Sequence, residues 1–179
     1  MIITLSGLAG SGKTTVAKIL ANKLNYKYLS AGELFRNIAK ERNTSLEQLL
    51  ELAEKNPGID RELDKMVMKL ASEGSTVVEG RLVGWHAKQY GMSSIRVWLE
   101  ASFETRARRV AKRDGKSFEI VTEEIQKREN SDWQRFWDLY TIDINDLSVY
   151  SIIIDTTYLT PEQVANAIIQ KLRDGRIAI

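Results

Sequence analysis

The chain of 179 residues carries 26 Lys plus Arg against 24 Asp plus Glu, a formal net charge of +2, with 43% hydrophobic and 28% charged residues. That length suits one domain, and the apolar content suffices for a core, which excludes a disordered chain. Zero Cys excludes a disulfide framework, a thiolate metal site and a cysteine nucleophile; one histidine, His86, argues against a Ser–His–Asp or His-based metal site. No apolar run approaches the ~18–20 residues that cross a bilayer, and the first residues lack the basic region of a signal peptide. The near-balanced charge speaks against a dedicated nucleic-acid binder. The expectation is a soluble, cytoplasmic, single-domain monomer working on small molecules, with no nucleic-acid or membrane partner.

In chain order, short β-type runs alternate with longer helical patterns. Strands are predicted at Ile2–Ser6, Tyr26–Leu29, Ser75–Glu79, Ile95–Leu99 and Tyr150–Ile154. Several are dense in Ile, Val and Leu, as in parallel strands covered on both faces. Thr44-x-x-Glu47 and Thr160-Pro161-x-Gln163 read as capping boxes, the second with Pro at the first helical position. Five strands interleaved with helices imply a three-layer α/β fold around a parallel sheet. From Ser30 to Ser72 there is room for about three helices between two strands, more than a simple crossover needs, which suggests a helical subdomain over the sheet edge.

Gly7-Leu8-Ala9-Gly10-Ser11-Gly12-Lys13-Thr14 is a full G-x-x-x-x-G-K-[ST] match between an apolar strand and a helical pattern, with Thr15 opening that helix. The glycines let the loop turn its backbone N–H groups inward as a nest for phosphate oxygens at a helix N-terminus. Lys13 brings a positive charge to the β- and γ-phosphates, and the Thr14 hydroxyl can ligate Mg²⁺. The motif names a nucleotide-phosphate site without naming a reaction.

Further along come Ser30-Ala31-Gly32-Glu33-Leu34-Phe35-Arg36, Glu79-Gly80-Arg81, the basic run Arg106–Lys116, and Arg128-Glu129-Asn130-Ser131-Asp132 with Arg135. At these residues, and at Tyr140-Thr141-Ile142-Asp143 and Ile154-Asp155-Thr156, the chain resembles the P-loop nucleoside monophosphate kinases, most closely the short, archaeal-type cytidylate kinases. The resemblance runs nearly end to end. It implies a three-layer P-loop kinase fold with a five-stranded parallel sheet, and phosphoryl transfer from Mg·ATP to CMP or dCMP. It also implies a core (1–29, 73–105 and 147–179), a monophosphate-binding subdomain over about 30–72 and a short lid over about 106–135.

The residues carry part of this reading themselves. Ser30, Gly32 and Arg36 sit where a strand meets a helix, near the strand ends where open α/β sheets bind ligands. Ser30 also reads as an N-cap with Glu33 completing the box, and Arg36, off the Leu34/Ile38 stripe, is either a solvated charge or a phosphate ligand; the resemblance favours the ligand. By the same match Arg81 holds the acceptor phosphate, and Gly80 permits close backbone approach. Glu79 stands where larger cytidylate kinases carry Asp, and no direct role is expected of its carboxylate.

Arg106, Arg109 and Arg113 follow i, i+3, i+7 spacing and share one helix face. Such a run suits a surface patch or, being short and followed by Gly115, a lid that closes on polyphosphate, with Arg109 and Arg113 meeting the phosphates. Arg128, Asp132 and Arg135 gather on one helix face, as a surface ladder or a strip facing the cleft. The resemblance implies that Arg128 and Arg135 bridge the transferring phosphoryl while Asp132 bonds the acceptor ribose. Trp133, Phe136, Trp137 and Tyr140 fall on another flank and read as core. Asp60, Arg61 and Asp64 could read the cytosine edge, whose N4 donor and N3/O2 acceptors match a carboxylate and an arginine, or could form an exposed, i, i+4-paired helix. His86, beside Trp85, has no partner legible in the sequence and reads as structural.

An ionised phosphate acceptor needs no general base, in keeping with many Arg and one His. A hydroxyl kinase would place an Asp near the end of the second strand, where this chain has Ser30-Ala31-Gly32. Another small P-loop kinase is the alternative reading. A regulatory nucleotide-binding ATPase is a third, disfavoured by the absence of an N/T-K-x-D motif and of a basic tail.

Overall fold

A computed structural model describes residues 1–45, 48, 49, 51, 52 and 56–174. Its strands are β1 (Ile2–Ser6), β2 (Lys27–Ser30), β3 (Thr76–Glu79), β4 (Ser94–Glu100) and β5 (Ile152–Asp155). All pair in parallel, in the order β2-β3-β1-β4-β5. The described helices are α1 (Lys13–Leu24), α2 (Ala31–Glu41), α3 (Pro57–Ser72), α4 (Val83–Gln89), α5 (Phe103–Asp114), α6 (Phe118–Tyr140) and α7 (Pro161–Arg173).

Burial follows from position in the sheet. Every residue of the inner strands β1 and β3 is buried, whereas the edge strand β5 alternates buried and exposed. Ile3, Leu5 and Val77 face α1 and α7, packing on Val16, Leu20, Val164 and Ile168. Ile2 and Val78 face the opposite layer, against Val67, Met68 and Ala71 of α3 and Val83 and Ala87 of α4. The three expected layers are therefore present. Strand boundaries differ from expectation by one or two residues at β2, β3, β4 and β5, where the last residues are polar and the ladder, not hydrophobicity, sets the end.

The Thr160 box forms, its hydroxyl accepting from Gln163 N and the Gln163 side chain accepting from Thr160 N. The first box is one residue later than expected: Ser45 and Gln48 make the reciprocal bonds at 3.1 and 3.0 Å, while the Thr44 hydroxyl donates to Gln48 Oε1. Glu47 lies outside the described residues. A parallel sheet with connections leaving β1 toward β2 on one side and β4 toward β5 on the other binds ligands at the carboxyl end of β1, where the glycine loop begins. Among the described residues no helix is long and apolar enough to cross a membrane.

Candidate active site

Between β1 and α1 the loop turns through Gly10 and Gly12 at φ 79° and 94°, left-handed values that other residues resist. Gly10 is also constrained by space, since a Cβ there would sit 2.5 Å from the Arg106 carbonyl oxygen. The loop rests on the first turn of α5. The Lys13 ammonium lies under it, donating to Leu8 O at 2.8 Å. Burial pushes this amine down to about 7 against the pull of Glu79, and Arg81, Arg128 and Arg106 repel it further.

Thr14, in the first turn of α1, holds its hydroxyl 3.2 Å from Glu79 Oε1, at the end of β3. The same carboxylate oxygen accepts from Ser30 Oγ at 2.5 Å and from the Tyr28 hydroxyl at 3.5 Å. Ser30 thus does two things, because its oxygen also accepts from Glu33 N and caps α2. Glu79 is the residue the sequence reading left without a role. A carboxylate directly after Val77 and Val78, at the end of a predicted strand, was the available signal.

Gly80 follows, but its nearest neighbours are Val83 and Ala31, 2.8 and 3.0 Å from where a Cβ would stand. Packing of α2 and α4 against the strand end accounts for it. Arg81 then pairs with Asp132 of α6. Burial, with Arg128 and Arg135 as repelling neighbours, lowers the Arg81 ionisation below the ordinary arginine range. Asp132 also meets Arg135 at 3.4 Å, and Arg135 Nε lies 3.9 Å from Asp60 Oδ2. The strip on α6 therefore faces inward at Asp132 and Arg135, while Arg128 stands exposed one turn before Asp132. A cavity of about 340 Å³ opens here, with Leu8, Arg81, Glu129, Asp132, Trp133 and Asn145 in its walls.

The basic run of α5 divides. Arg106 is 5% exposed and forks onto Ala9 O, Ala101 O and the Glu129 carboxylate. Arg109 donates to Thr156 O at 2.6 Å, to Thr156 Oγ1 at 3.0 Å and to Gly10 O at 3.4 Å. Arg113 lies at the exposed end of the helix, bidentate on Asp114, and does not join the loop. Arg36 is exposed on α2, its guanidinium folded toward Gly32. The three candidate base readers on α3 all meet α6: Asp60 at Arg135, Arg61 at Leu139 O and Asp64 at Tyr140.

Two expectations are corrected. Trp133 and Trp137 are not core: they are 39% and 45% exposed, stacked at 6.2 Å, because α6 buries the neighbouring stripe of Val121, Ile125, Asp132 and Phe136. His86 has partners after all, with Nε2 3.2 Å from Asp64 Oδ2 and its ring edge-on to Tyr140.

The model of the cytidylate kinase-like family matches residues 2–158. The chain is similar to the cytidylate kinase of Pyrococcus abyssi, 47% identical over 164 residues, which cover 92% of this chain and 89% of that one. It is similar also to the cytidylate kinase of Archaeoglobus fulgidus, 40% identical over 180 residues, covering 100% and 98% of the two chains. Among solved structures, an uncharacterized protein from Eubacterium ventriosum superposes with a TM-score of 0.73 at 20% identity, covering 97% and 98% of the chains. The shikimate kinase from Acinetobacter baumannii in complex with shikimate gives 0.66 at 18% identity, covering 99% and 95%. At these identities the structural likeness speaks for the fold alone.

Proposed function

The chain belongs to the cytidylate kinase-like family, and on that premise we propose that it transfers the γ-phosphoryl of Mg·ATP to CMP or dCMP, giving ADP and CDP or dCDP. The observation that carries this reading is the crowding of like charge at one place. Lys13 lies under the loop, Arg106 reaches Ala9 O of the same loop, and Arg81 and Arg135 converge on Asp132 at the cavity that Leu8 also lines, so that their charges repel one another. Cations held against their mutual repulsion are matched by a polyanion, and two phosphorylated nucleotides supply one.

The loop of residues 7–15 cradles the ATP phosphates. Thr14 and Glu79 together offer a hydroxyl and a carboxylate, the oxygen donors that Mg²⁺ prefers alongside phosphate oxygens and retained water. When bound, Mg²⁺ would supply neutralisation of the phosphate charge. Thr14 would ligate it, since its hydroxyl donates a hydrogen bond to Glu79 and keeps its own lone pairs for a cation. The acceptor phosphate meets Arg36 and Arg81, with Ser30, Gly32 and Gly80 shaping that end of the sheet; Asp132 bonds the ribose. The nucleophile is a phosphate oxygen already ionised at neutral pH, so the protein's work is alignment and charge stabilisation. Arg128 and Arg135 meet the phosphoryl in flight. Arg109, already against Gly10 O of the loop, meets the donor's phosphates, and Arg113 joins it when the α5–α6 hairpin, the lid of about residues 106–135, closes. Helices over about 30–72 hold the monophosphate, with Asp60, Arg61 and Asp64 nearest the base. The enzyme works as a cytoplasmic monomer.

A coupled assay with ATP and each nucleoside monophosphate tests the assignment. CMP and dCMP are expected to show higher kcat/KM than UMP or AMP. If AMP is the best acceptor, the kinase class stands and the cytidylate assignment fails.

A further inference from the structure

We propose that Tyr140 and His86 are positioning residues for the acceptor site, acting by holding Asp64 and with it helix α3. The inference rests on the reading that the monophosphate lies between α2–α3 and α6. Three elements meet at one carboxylate oxygen. The Tyr140 hydroxyl, at the end of α6, donates to Asp64 Oδ2 at 2.5 Å. His86 Nε2, from α4, lies 3.2 Å from the same atom. His86 is 2% exposed, and its ring packs edge-on to Tyr140 with centroids 5.0 Å apart. Burial beside Asp64 lifts the Tyr140 hydroxyl well above its ordinary range, so it remains a donor at any working pH.

The joint matters because of what stands in register with it. Along α3, Asp60 and Asp64 are one turn apart, and Arg61 lies between them; along α6 their partners are Arg135, Leu139 and Tyr140. Asp64 is thus the last of three contacts that fix α3 against the helix bearing Asp132 and Arg135. Its side chain is 18% exposed, whereas an ordinary surface pair is open to water and worth little. Losing this contact frees α3 to shift along α6, which displaces the acceptor-binding face and leaves the phosphate loop untouched.

Steady-state kinetics of Tyr140→Phe, which keeps the ring and deletes the hydroxyl, test this. KM for CMP is expected to rise ~10-fold, the size of one hydrogen bond to a charged group, while KM for ATP stays within about twofold. His86→Gln, whose amide can donate to Asp64 from the same place, should retain acceptor affinity that His86→Leu loses. In the double variant Tyr140→Phe/Asp64→Asn, the KM effects should not add. A purely structural joint would lower the melting temperature and leave KM for CMP unmoved, or raise both KM values together; either result overturns the proposal. Wild-type protein that turns over CMP alongside an unmoved Tyr140→Phe variant sinks this inference alone. Wild-type protein inert toward every nucleoside monophosphate sinks the kinase reading and the inference with it.

Discussion

Thr14 and Glu79 lie 65 residues apart in the chain and meet at the mouth of the phosphate loop, the threonine hydroxyl donating to the carboxylate at 3.2 Å. Parallel pairing of β1 with β3 brings them together, since Leu5 stands in register with Glu79 and the loop starts two residues later. Ser30 and Tyr28 of β2 donate to the same oxygen. One carboxylate thereby ties the glycine loop to the strand that leads into α2.

Glu79→Gln is expected to raise the Mg²⁺ concentration needed for half-maximal rate by ~10–100-fold, the usual cost of losing a group that orients a metal ligand. Glutamine keeps the shape but not the charge, so the fold should survive. Rate against Mg²⁺ at saturating ATP measures it. An unchanged Mg²⁺ requirement would remove Glu79 from the metal site.

Lys13 gives a pH signature. Its amine titrates near 7 in the free protein, chiefly through burial, with Arg81, Arg128 and Arg106 adding to the loss and Glu79 opposing it. Polyphosphate binds the ammonium form, so ATP raises the Lys13 pKa. The sign follows: below pH 7 the proton is already present, and above pH 7 binding takes one up and weakens as pH rises. Calorimetry at pH 8 in two buffers of different ionisation enthalpy should register uptake close to one proton, absent in Lys13→Met. The same substitution should cut kcat by ~10²-fold or more. Zero uptake in the wild type would place the ammonium fully charged before ATP arrives.

Arginines on either side of the reaction should separate kinetically. Arg36→Ala should raise KM for CMP with KM for ATP little changed, and being exposed it should leave the melting temperature alone. Arg81→Ala has the kinetic effect and a structural one, because Asp132 keeps only Arg135 of its two arginines, at a cost of ~1–3 kcal/mol. Arg81→Met/Asp132→Leu should restore the melting temperature and not the activity. Arg128→Ala and Arg135→Ala should depress kcat by ~3–4 kcal/mol, on the scale of a lost oxyanion donor, more than either KM. Normal turnover in both would leave the strip a structural feature with no part in the transfer.

Local signals made the first third of the site legible: β1, the glycine loop and α1 form one contiguous stretch, and the motif carries its own geometry. The sheet was legible for a similar reason, since strands buried on both faces read as apolar runs. Contacts across the chain were not. Nothing near Glu79 announces Thr14, and nothing near Arg106 announces Glu129, 23 residues on. The α6 aromatics misled because helical period groups residues onto flanks without saying which flank is covered; here Asp132 shares the buried stripe with Phe136, while two tryptophans stay half open. Asp64 was legible as a helix-borne carboxylate, but its engagement with Tyr140, 76 residues away, belongs to tertiary structure.

Arg106 and Arg108, two residues apart on α5, should respond unequally to the same substitution. The Arg106 fork satisfies the carbonyls of Ala9 and Ala101 and the Glu129 carboxylate at once, so it binds the phosphate loop, the end of β4 and α6 into one unit. Lysine conserves the charge but cannot reproduce a planar fork from a single nitrogen. Arg106→Lys should therefore cost ~1–3 kcal/mol through unmet buried groups, which in a chain of this size lowers the melting temperature by roughly 2–12 °C. KM for ATP should rise as well, because Ala9 belongs to the loop. Arg108 pairs with Glu104 across one exposed turn, the two side chains 71% and 65% exposed. Arg108→Lys there should change stability by under ~0.5 kcal/mol and leave KM for ATP unaltered. Thermal melts and ATP titrations of the two variants decide it: equal melting temperatures and equal KM values would mean that the fork orders nothing the loop requires.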